Sequence, residues 1–298
     1  MRWLLLSFLL CTACSPKLLS TTGAQDPMLF NAARVNSADK IAIFIPGALS
    51  SIDVFVNTKV WEDAGYGRVF YRYPGLDGMD TDHHVSIDAA ARTIADFTAR
   101  YPGKPITLVG YSTGGLIALQ AAPQIARTHP VKVAAMSTAV EHGGGVSTIA
   151  RGGRDVMRSV VATKSLRKAD VWKRFWAGLL FGPAALDDPA AQPELDRKIA
   201  EGAKIEVRLD PSIVVAHMLG LPGWSVPDDL DLTGIPTAFF VGLTDPVFST
   251  AQTMQFARRV GGDVTVYGYP GQGHLLFFTR PEAFDDVLDF AEGRDPRL

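Results

Sequence analysis

Short apolar runs alternate with amphipathic stretches along most of the chain. The run IAIFI at 41–45 is continuously apolar, rich in β-branched residues and followed by Pro46-Gly47, which is typical of a buried strand. After Ser86, a candidate N-cap, apolar residues recur at helical spacing as far as residue 100. The pattern predicts strands over 41–45, 67–73, 106–109, 131–137, 237–241 and 263–267, and helices over 86–100 and 114–126. Because strands alternate with helices, we expect an α/β fold whose mostly parallel sheet is covered by helices on both faces.

The alternation stops between residues 140 and 226. No strand pattern occurs there, whereas helical patterns and repeated prolines do. In VWKRFWAGLLF the apolar residues recur at i, i+3, i+4, i+7 and i+8, which places on one helix face Trp172, Phe175, Trp176, Leu179 and Leu180. We therefore predict that residues 140–226 form a helical insertion between two parts of one core, 27–139 and 227–298.

The N-terminus has the layout of a secretory signal. Arg2 precedes an apolar run from Trp3 to Leu10, and small residues lead up to Cys14. The run is too short to span a bilayer, so it does not predict a transmembrane anchor. We expect a signal peptide over 1–13 and an exported protein.

The stretch Cys11-Thr12-Ala13-Cys14 resembles the lipobox of bacterial lipoproteins, with Cys11 where leucine is usual. The resemblance implies cleavage before Cys14, lipidation of Cys14 and, with Ser15 beside it, an outer-membrane lipoprotein that faces the periplasm. Residues 14–26 would then form a polar tether, and the lipid would be the contact with the membrane. Cleavage without lipidation, which gives a periplasmic or secreted protein, stays open.

The overall composition is that of a globular protein. Of the 298 residues, 47% are hydrophobic and 20% are charged, and the net charge of −2 gives no indication of a nucleic-acid partner. Cys11 and Cys14 are the two cysteines, so residues 15–298 cannot form an internal disulfide, a thiol nucleophile or a cysteine metal site.

The segment Gly110-Tyr111-Ser112-Thr113-Gly114 matches the pattern G-x-S-x-G. It follows a predicted strand and opens a predicted helix, the context in which a serine is exposed on a strained turn and glycines avoid a steric clash. A serine hydroxyl becomes a strong nucleophile only when a histidine takes its proton and a carboxylate orients that histidine. The context therefore favours a nucleophile at Ser112 over an ordinary loop serine.

Asp245 and His274 are the candidate partners of Ser112. Each comes just after a predicted strand, and the carboxyl ends of parallel strands meet at one edge of a sheet. The order serine, acid, histidine is the one that accompanies G-x-S-x-G. Two alternatives stay open: Asp245 only caps a helix that starts near Pro246, or Glu141 is the acid.

With these motifs together, the chain resembles serine hydrolases of the α/β-hydrolase fold superfamily, in particular esterases and lysophospholipases. The resemblance covers about 41–139 and 227–291 and implies a Ser112–His274–Asp245 triad that needs no metal or organic cofactor. It also implies an oxyanion hole built from the Thr113 amide and an amide of an early loop. That loop usually reads H-G but here reads Pro46-Gly47-Ala48-Leu49, and we predict Ala48 as the donor, with Leu49 as the alternative.

The insertion lies where this superfamily commonly carries a lid, which makes Trp172, Phe175 and Trp176 candidate substrate contacts. The alternative, that the stripe is only the packing face of the lid itself, stays open. Residues 151–174 hold eight Lys and Arg side chains and two Asp side chains, which suggests an anionic amphiphile, with a solvated helix face as the alternative. We therefore expect hydrolysis of carboxylic esters, with acyl lipids such as lysophospholipids or monoacylglycerols as substrates. A serine peptidase or haloperoxidase of the same superfamily, and a non-catalytic lipoprotein that binds a ligand or partner, are the alternatives.

The remaining histidines give weaker signals. His83 and His84 lie among Asp77, Asp80 and Asp82, which would suit a metal site, but a solvated loop before the Ser86 helix is favoured. No pattern assigns a role to His129, His142 or His217.

Overall fold

The structure is a computed structural model. It describes residues 25–81, 83–138, 160–161, 164, 177–182, 188–202, 211–221, 224–248, 250–260 and 262–296. Outside these ranges lie the predicted signal peptide 1–13, the predicted lipidation site Cys14 and most of the predicted tether, together with Glu141, Trp172, Phe175 and Trp176.

Seven strands and nine labelled α-helices are described. The strands are β1 Met28–Phe30, β2 Lys40–Ile45, β3 Tyr66–Tyr71, β4 Ile106–Tyr111, β5 Val131–Met136, β6 Thr237–Gly242 and β7 Val264–Tyr269. The helices are α1 Ala32–Ser37, α2 Val60–Asp63, α3 Ile87–Thr98, α4 Thr113–Ile125, α5 Gln192–Gly202, α6 Pro211–Gly220, α7 Thr250–Arg259, α8 Leu276–Thr279 and α9 Ala283–Glu292. A 3-10 helix covers Ile52–Thr58.

The strands form one sheet in the order β1-β3-β2-β4-β5-β6-β7. All neighbouring strands pair in parallel except β1, which runs antiparallel to β3 with Met28 opposite Tyr71. The predicted α/β fold with a mostly parallel sheet is confirmed. The three-residue edge strand β1 was not predicted, because it is too short to show a periodic pattern.

The sheet is buried on both faces. In β2, Ile41 and Ile43 belong to one hydrophobic cluster with Leu108 of β4, whereas Phe44 belongs to a second cluster with Val109. Successive strand residues point to opposite faces, so a strand that is covered on both faces is apolar at every position. This explains why the central strands are continuous apolar runs in the sequence.

Between β5 and β6 the longer described stretches are helical. Residues 177–181 form a short helix, and α5 and α6 follow. The predicted boundaries of the insertion at 140 and 226 stay predictions. Within the ranges given above, no helix is both long enough and apolar enough to cross a membrane.

Candidate active site

The loops after β2 and β4 meet where the order of the strands reverses. From β2 the chain goes first to β3 on one side and then crosses back to β4 on the other side. In open α/β sheets a crevice forms at the carboxyl ends of the strands at such a point, and ligands bind there. Ser112 directly follows β4, and the 46–50 loop directly follows β2.

The backbone at Ser112 is strained. Its φ of 52° and ψ of −121° are unusual for a residue with a side chain, and they turn the chain sharply from β4 into α4. A Cβ atom at Gly110 would lie 2.3 Å from the Gly114 carbonyl oxygen. A Cβ atom at Gly114 would lie 2.0 Å from the Ile45 carbonyl oxygen, so both glycines of the motif are required by close backbone packing.

This packing predicts that Gly114→Ala destabilises the fold. The obstructing atoms belong to the backbone of β2 and cannot rotate away, so we expect a loss of at least about 3 kcal/mol in the free energy of unfolding. Gly178→Ala is the matched control, because no atom of the described residues lies within 4 Å of a Cβ atom at that position. Urea denaturation of both variants measures the effect, and equal stability of the two would contradict this account of the turn.

Ser112, His274 and Asp245 form a continuous chain of contacts. The Ser112 Oγ atom lies 3.1 Å from Nε2 of His274, and Nδ1 of His274 lies 2.9 Å from Oδ2 of Asp245. A carboxylate only accepts hydrogen bonds, so Nδ1 carries the proton and donates to Asp245. Nε2 is therefore left to accept the proton of the Ser112 hydroxyl. The structure thus brings together the three residues that the sequence singled out.

Asp245 uses its two carboxylate oxygens for different purposes. Oδ1 accepts hydrogen bonds from the amides of Val247 at 2.7 Å and Phe248 at 3.1 Å, whereas Oδ2 accepts from His274. The amide bonds fix the rotation of the carboxylate and so aim Oδ2 at the imidazole. The two roles proposed from the sequence, capping of the following turn and orientation of His274, are therefore compatible.

Two aromatic rings flank the His274 imidazole. The Tyr111 ring centre lies 5.5 Å from it and the Phe248 ring centre lies 5.6 Å from it. Burial, and secondarily the charge of Asp245, raise the pKa of Tyr111 well above its usual range, so its hydroxyl stays neutral. That hydroxyl donates to the His274 carbonyl oxygen at 3.4 Å and restricts the loop that carries the histidine.

The helical stretch 177–181 holds the loops of both His274 and Asp245. The amide of Gly273 donates to the Leu180 carbonyl at 2.8 Å, and the hydroxyl of Thr244 donates to the Phe181 carbonyl at 2.8 Å. A Cβ atom at Gly273 would lie 2.4 Å from the Leu179 carbonyl oxygen, so only glycine permits this approach. The described residues of the apolar stripe, Leu179 and Leu180, thus lie beside the candidate triad.

The 46–50 loop packs directly on the nucleophile. A Cβ atom at Gly47 would lie 2.9 Å from the Cβ atom of Ser112. The Leu49 amide donates to Nδ1 of His217 at 3.0 Å and is therefore engaged. The Ala48 amide, in contrast, donates to no acceptor among the residues described, and Thr113 is the first residue of α4, where an amide has no partner within the helix. These two amides stay the predicted oxyanion donors.

Sequence reasoning missed three supporting side chains. The hydroxyl of Thr138 donates to the Ser112 carbonyl oxygen, Thr244 links two loops, and His217 contacts the 46–50 loop. Thr138 lies close after the end of β5, as Asp245 and His274 lie after the ends of β6 and β7, and this position was an available signal. Nothing in the local sequence marks His217.

The described residues of the loop around His83 and His84 form no cluster of metal ligands. His83 and His84 are both exposed. Across the part of the chain that the structure covers, no three His, Cys, Asp or Glu side chains lie together as metal ligands would. His129 is buried elsewhere, and its Nδ1 lies 3.0 Å from the Lys104 carbonyl oxygen.

Several solved structures are similar to this chain. One is a candidate non-heme bromoperoxidase, BpoC, from Mycobacterium tuberculosis H37Rv, with 17% identity, a TM-score of 0.65 and coverage of 92% of this chain and 97% of that chain. A thermophilic esterase from Thermogutta terrifontis has 15% identity and a TM-score of 0.64, with coverage of 85% and 90% respectively. An enol-lactonase from Burkholderia xenovorans LB400 has 12% identity and a TM-score of 0.64, with coverage of 89% and 95%. At these identities the similarity establishes the fold alone.

No curated protein matches the sequence. The family model described as "Alpha/beta hydrolase family" matches residues 42–287, which span the sheet, the strained turn at Ser112 and the loops of Asp245 and His274. The chain therefore belongs to the alpha/beta hydrolase family.

Proposed function

We propose that this protein is a serine hydrolase that cleaves carboxylic esters. One observation carries the proposal: Ser112 Oγ, His274 Nε2, His274 Nδ1 and Asp245 Oδ2 are linked by contacts of 3.1 and 2.9 Å. Ser112 and His274 are only 9% and 7% exposed, so the hydrogen-bonded chain is largely shielded from water. This is the arrangement that activates a serine for attack on a carbonyl carbon.

The reaction follows from the proton positions. The Ser112 oxygen forms a bond to the ester carbonyl carbon while its proton moves to Nε2 of His274. The carbonyl oxygen becomes an oxyanion, which the amides of Ala48 and Thr113 stabilise. When the intermediate collapses, the carbon–oxygen bond to the alcohol breaks and the alcohol leaves with the proton from Nε2. A water molecule then attacks the acyl carbon while its proton moves to Nε2 of His274. When this second intermediate collapses, the bond to the Ser112 oxygen breaks, the acid is released and Ser112 regains the proton from Nε2.

Acyl lipids, such as lysophospholipids or monoacylglycerols, are the proposed substrates. The support comes from the sequence: an aromatic stripe at Trp172, Phe175 and Trp176 overlaps the end of the basic stretch 151–174 within the insertion. Its continuation at Leu179 and Leu180 lies against the His274 loop, which is the place from which an acyl chain would be contacted.

A lipid anchor on Cys14 would hold such an enzyme at the membrane surface. We propose an outer-membrane lipoprotein facing the periplasm, on the basis of the signal-like segment and the stretch Cys11–Cys14. Mass spectrometry of the protein from a bacterial membrane fraction tests this point. A diacylated N-terminal cysteine is expected, and an N-terminus at Ser15 or later would contradict it.

A panel of substrates tests the proposed reaction. We expect turnover of p-nitrophenyl butyrate and release of fatty acid from lysophosphatidylcholine and monoacylglycerol, with no cleavage of the matched p-nitroanilide. The panel includes an enol-lactone, a cyclic ester, because one neighbour in fold is named an enol-lactonase. A folded wild type that cleaves no ester but binds lipid would contradict the proposal and favour a binding protein. Turnover of soluble esters alone would retain the ester chemistry and reject the lipid substrate.

A further inference from the structure

Helix α6 contacts the loop after β2 through one buried histidine. His217 is 0% exposed, and its two ring nitrogens face two different loops. The Leu49 amide donates to Nδ1 at 3.0 Å, and Nε2 lies 3.3 Å from the Pro74 carbonyl oxygen. A single imidazole therefore connects α6 both to the 46–50 loop and to the loop after β3.

The two contacts fix the proton on the ring. The Leu49 amide can only donate, so Nδ1 is the unprotonated nitrogen, and Nε2 carries the proton and donates to Pro74. Burial lowers the pKa of His217 to about 4, partly offset by the bond to Pro74, so the imidazole is neutral at pH 7. The ring centre of Tyr73 lies 5.1 Å from that of His217, and burial keeps the tyrosine neutral by raising its pKa well above the usual range.

The bond from Leu49 holds a strained residue. Leu49 has a φ of 61°, in the left-handed region that costs a residue with a side chain about 1–3 kcal/mol. Such a conformation persists only where the surroundings enforce it. The loop is held at its start as well, because the Tyr73 hydroxyl donates to the Pro46 carbonyl at 2.8 Å. Ala48 lies between these two fixed points, and Gly47 lies against Ser112.

Helix α6 is itself fixed in position. The Val85 amide donates to the Ala216 carbonyl at 3.3 Å, one residue before His217. At Gly220 a Cβ atom would lie 1.7 Å from the Val85 carbonyl oxygen, so the end of the helix rests on backbone. Gly75 likewise has no room for a Cβ atom, which would lie 2.7 Å from Ile213 of the same helix. The imidazole thus has little freedom to move away from Leu49.

We propose that His217 is a positioning residue that locks the 46–50 loop in the conformation in which the Ala48 amide faces the oxyanion. The inference rests on the proposed function, since an oxyanion loop has a role only in a serine hydrolase. It assigns the ordering of that loop to α6, a helix between β5 and β6. The related pattern H-G carries a histidine inside this loop, whereas here the loop reads Pro46-Gly47 and the ordering histidine comes from α6. His217 does not contact the substrate.

Three variants of the full-length protein separate the two bonds of His217. His217→Phe keeps a ring but removes both bonds. His217→Asn places an amide oxygen near the position of Nδ1, so it can still accept from Leu49. His217→Gln places its amide near the position of Nε2, so it retains only the bond to Pro74. His129→Phe is the control, because His129 is a buried histidine whose ring, within the described residues, contacts the Lys104 carbonyl oxygen away from the site.

The expected pattern concerns kcat rather than KM. With p-nitrophenyl butyrate, we expect His217→Phe and His217→Gln to lower kcat by about 10- to 100-fold, somewhat less than the loss of an oxyanion donor. KM should change by less than about threefold, and His217→Asn should restore kcat to within about fivefold of wild type. His129→Phe should lower Tm and leave kcat unchanged. If His217→Phe does not fold, the contrast between the Asn and Gln variants carries the test.

Two failures are distinguishable. If wild type cleaves esters and all three variants lower Tm but keep the kcat of wild type, His217 is only structural and the inference is overturned. The same conclusion follows if Gln restores kcat and Asn does not. If the folded wild type cleaves no ester and does not react with a fluorophosphonate, the proposed function fails and the inference fails with it.

Discussion

Ser112→Ala is expected to lower kcat for ester hydrolysis by about 10⁵- to 10⁶-fold, the scale seen when a triad serine is removed. The substitution deletes the oxygen that lies 3.1 Å from Nε2 of His274. The fold should persist, since the other hydrogen bonds of Ser112 among the described residues involve its backbone and join it to Met136, Gly115 and Thr138. Initial rates with p-nitrophenyl butyrate, together with Tm, measure the effect.

Ser86→Ala is the matched control for this prediction. The same atom is deleted at a helix cap, where the Ser86 hydroxyl accepts from the Ala89 amide at 3.3 Å. We expect a loss of about 1 kcal/mol in stability and no change in kcat. An activity of Ser112→Ala within tenfold of wild type would mean that hydrolysis does not proceed through Ser112.

Asp245→Asn is expected to lower kcat by about 10⁴-fold without unfolding the protein, as for other triads that lose the charged acid. Oδ1 accepts from the Val247 and Phe248 amides, so the carbonyl oxygen of asparagine keeps that position. Its NH₂ group then replaces Oδ2 and points at Nδ1 of His274. Nδ1 must then accept a hydrogen bond, which places the proton of the imidazole on Nε2. A protonated Nε2 can no longer take the proton of Ser112.

Glu141→Gln tests the alternative acid in the same assay. If Asp245 orients His274, the Gln variant retains the kcat of wild type. A loss of about 10⁴-fold in Glu141→Gln, with Asp245→Asn nearly unaffected, would assign the acid to Glu141 instead.

The central strands of the sheet could be predicted because they are buried on both faces. A run such as IAIFI reflects burial directly, and each predicted strand has a counterpart in the sheet. The edge strand β1 differs, because three residues that pair with β3 through backbone bonds need no special side-chain pattern. The formation of β1 depends on its pairing with β3, which lies about 40 residues further along the chain.

The candidate triad could be located because each member follows a strand end. Because parallel strands bring their carboxyl ends to one edge of the sheet, residues that follow different strands can be predicted to lie close together. The contacts of His217 could not be predicted in this way, because it lies on a helix between β5 and β6. Its bonding partners, Leu49 and Pro74, are 168 and 143 positions away in the sequence. The strain at Leu49 is equally invisible in the sequence, because it appears only once the loop has packed against Ser112 and α6.

The most direct test of the account is the intact mass of the protein after treatment with a fluorophosphonate, beside Ser112→Ala. The reagent reacts with a serine whose proton is removed by a neighbouring base and whose oxyanion is stabilised, and it needs no knowledge of the natural substrate. We predict one adduct on wild type and none on Ser112→Ala. No adduct on a folded wild type, or an equal adduct on the variant, would contradict an activated nucleophile at Ser112.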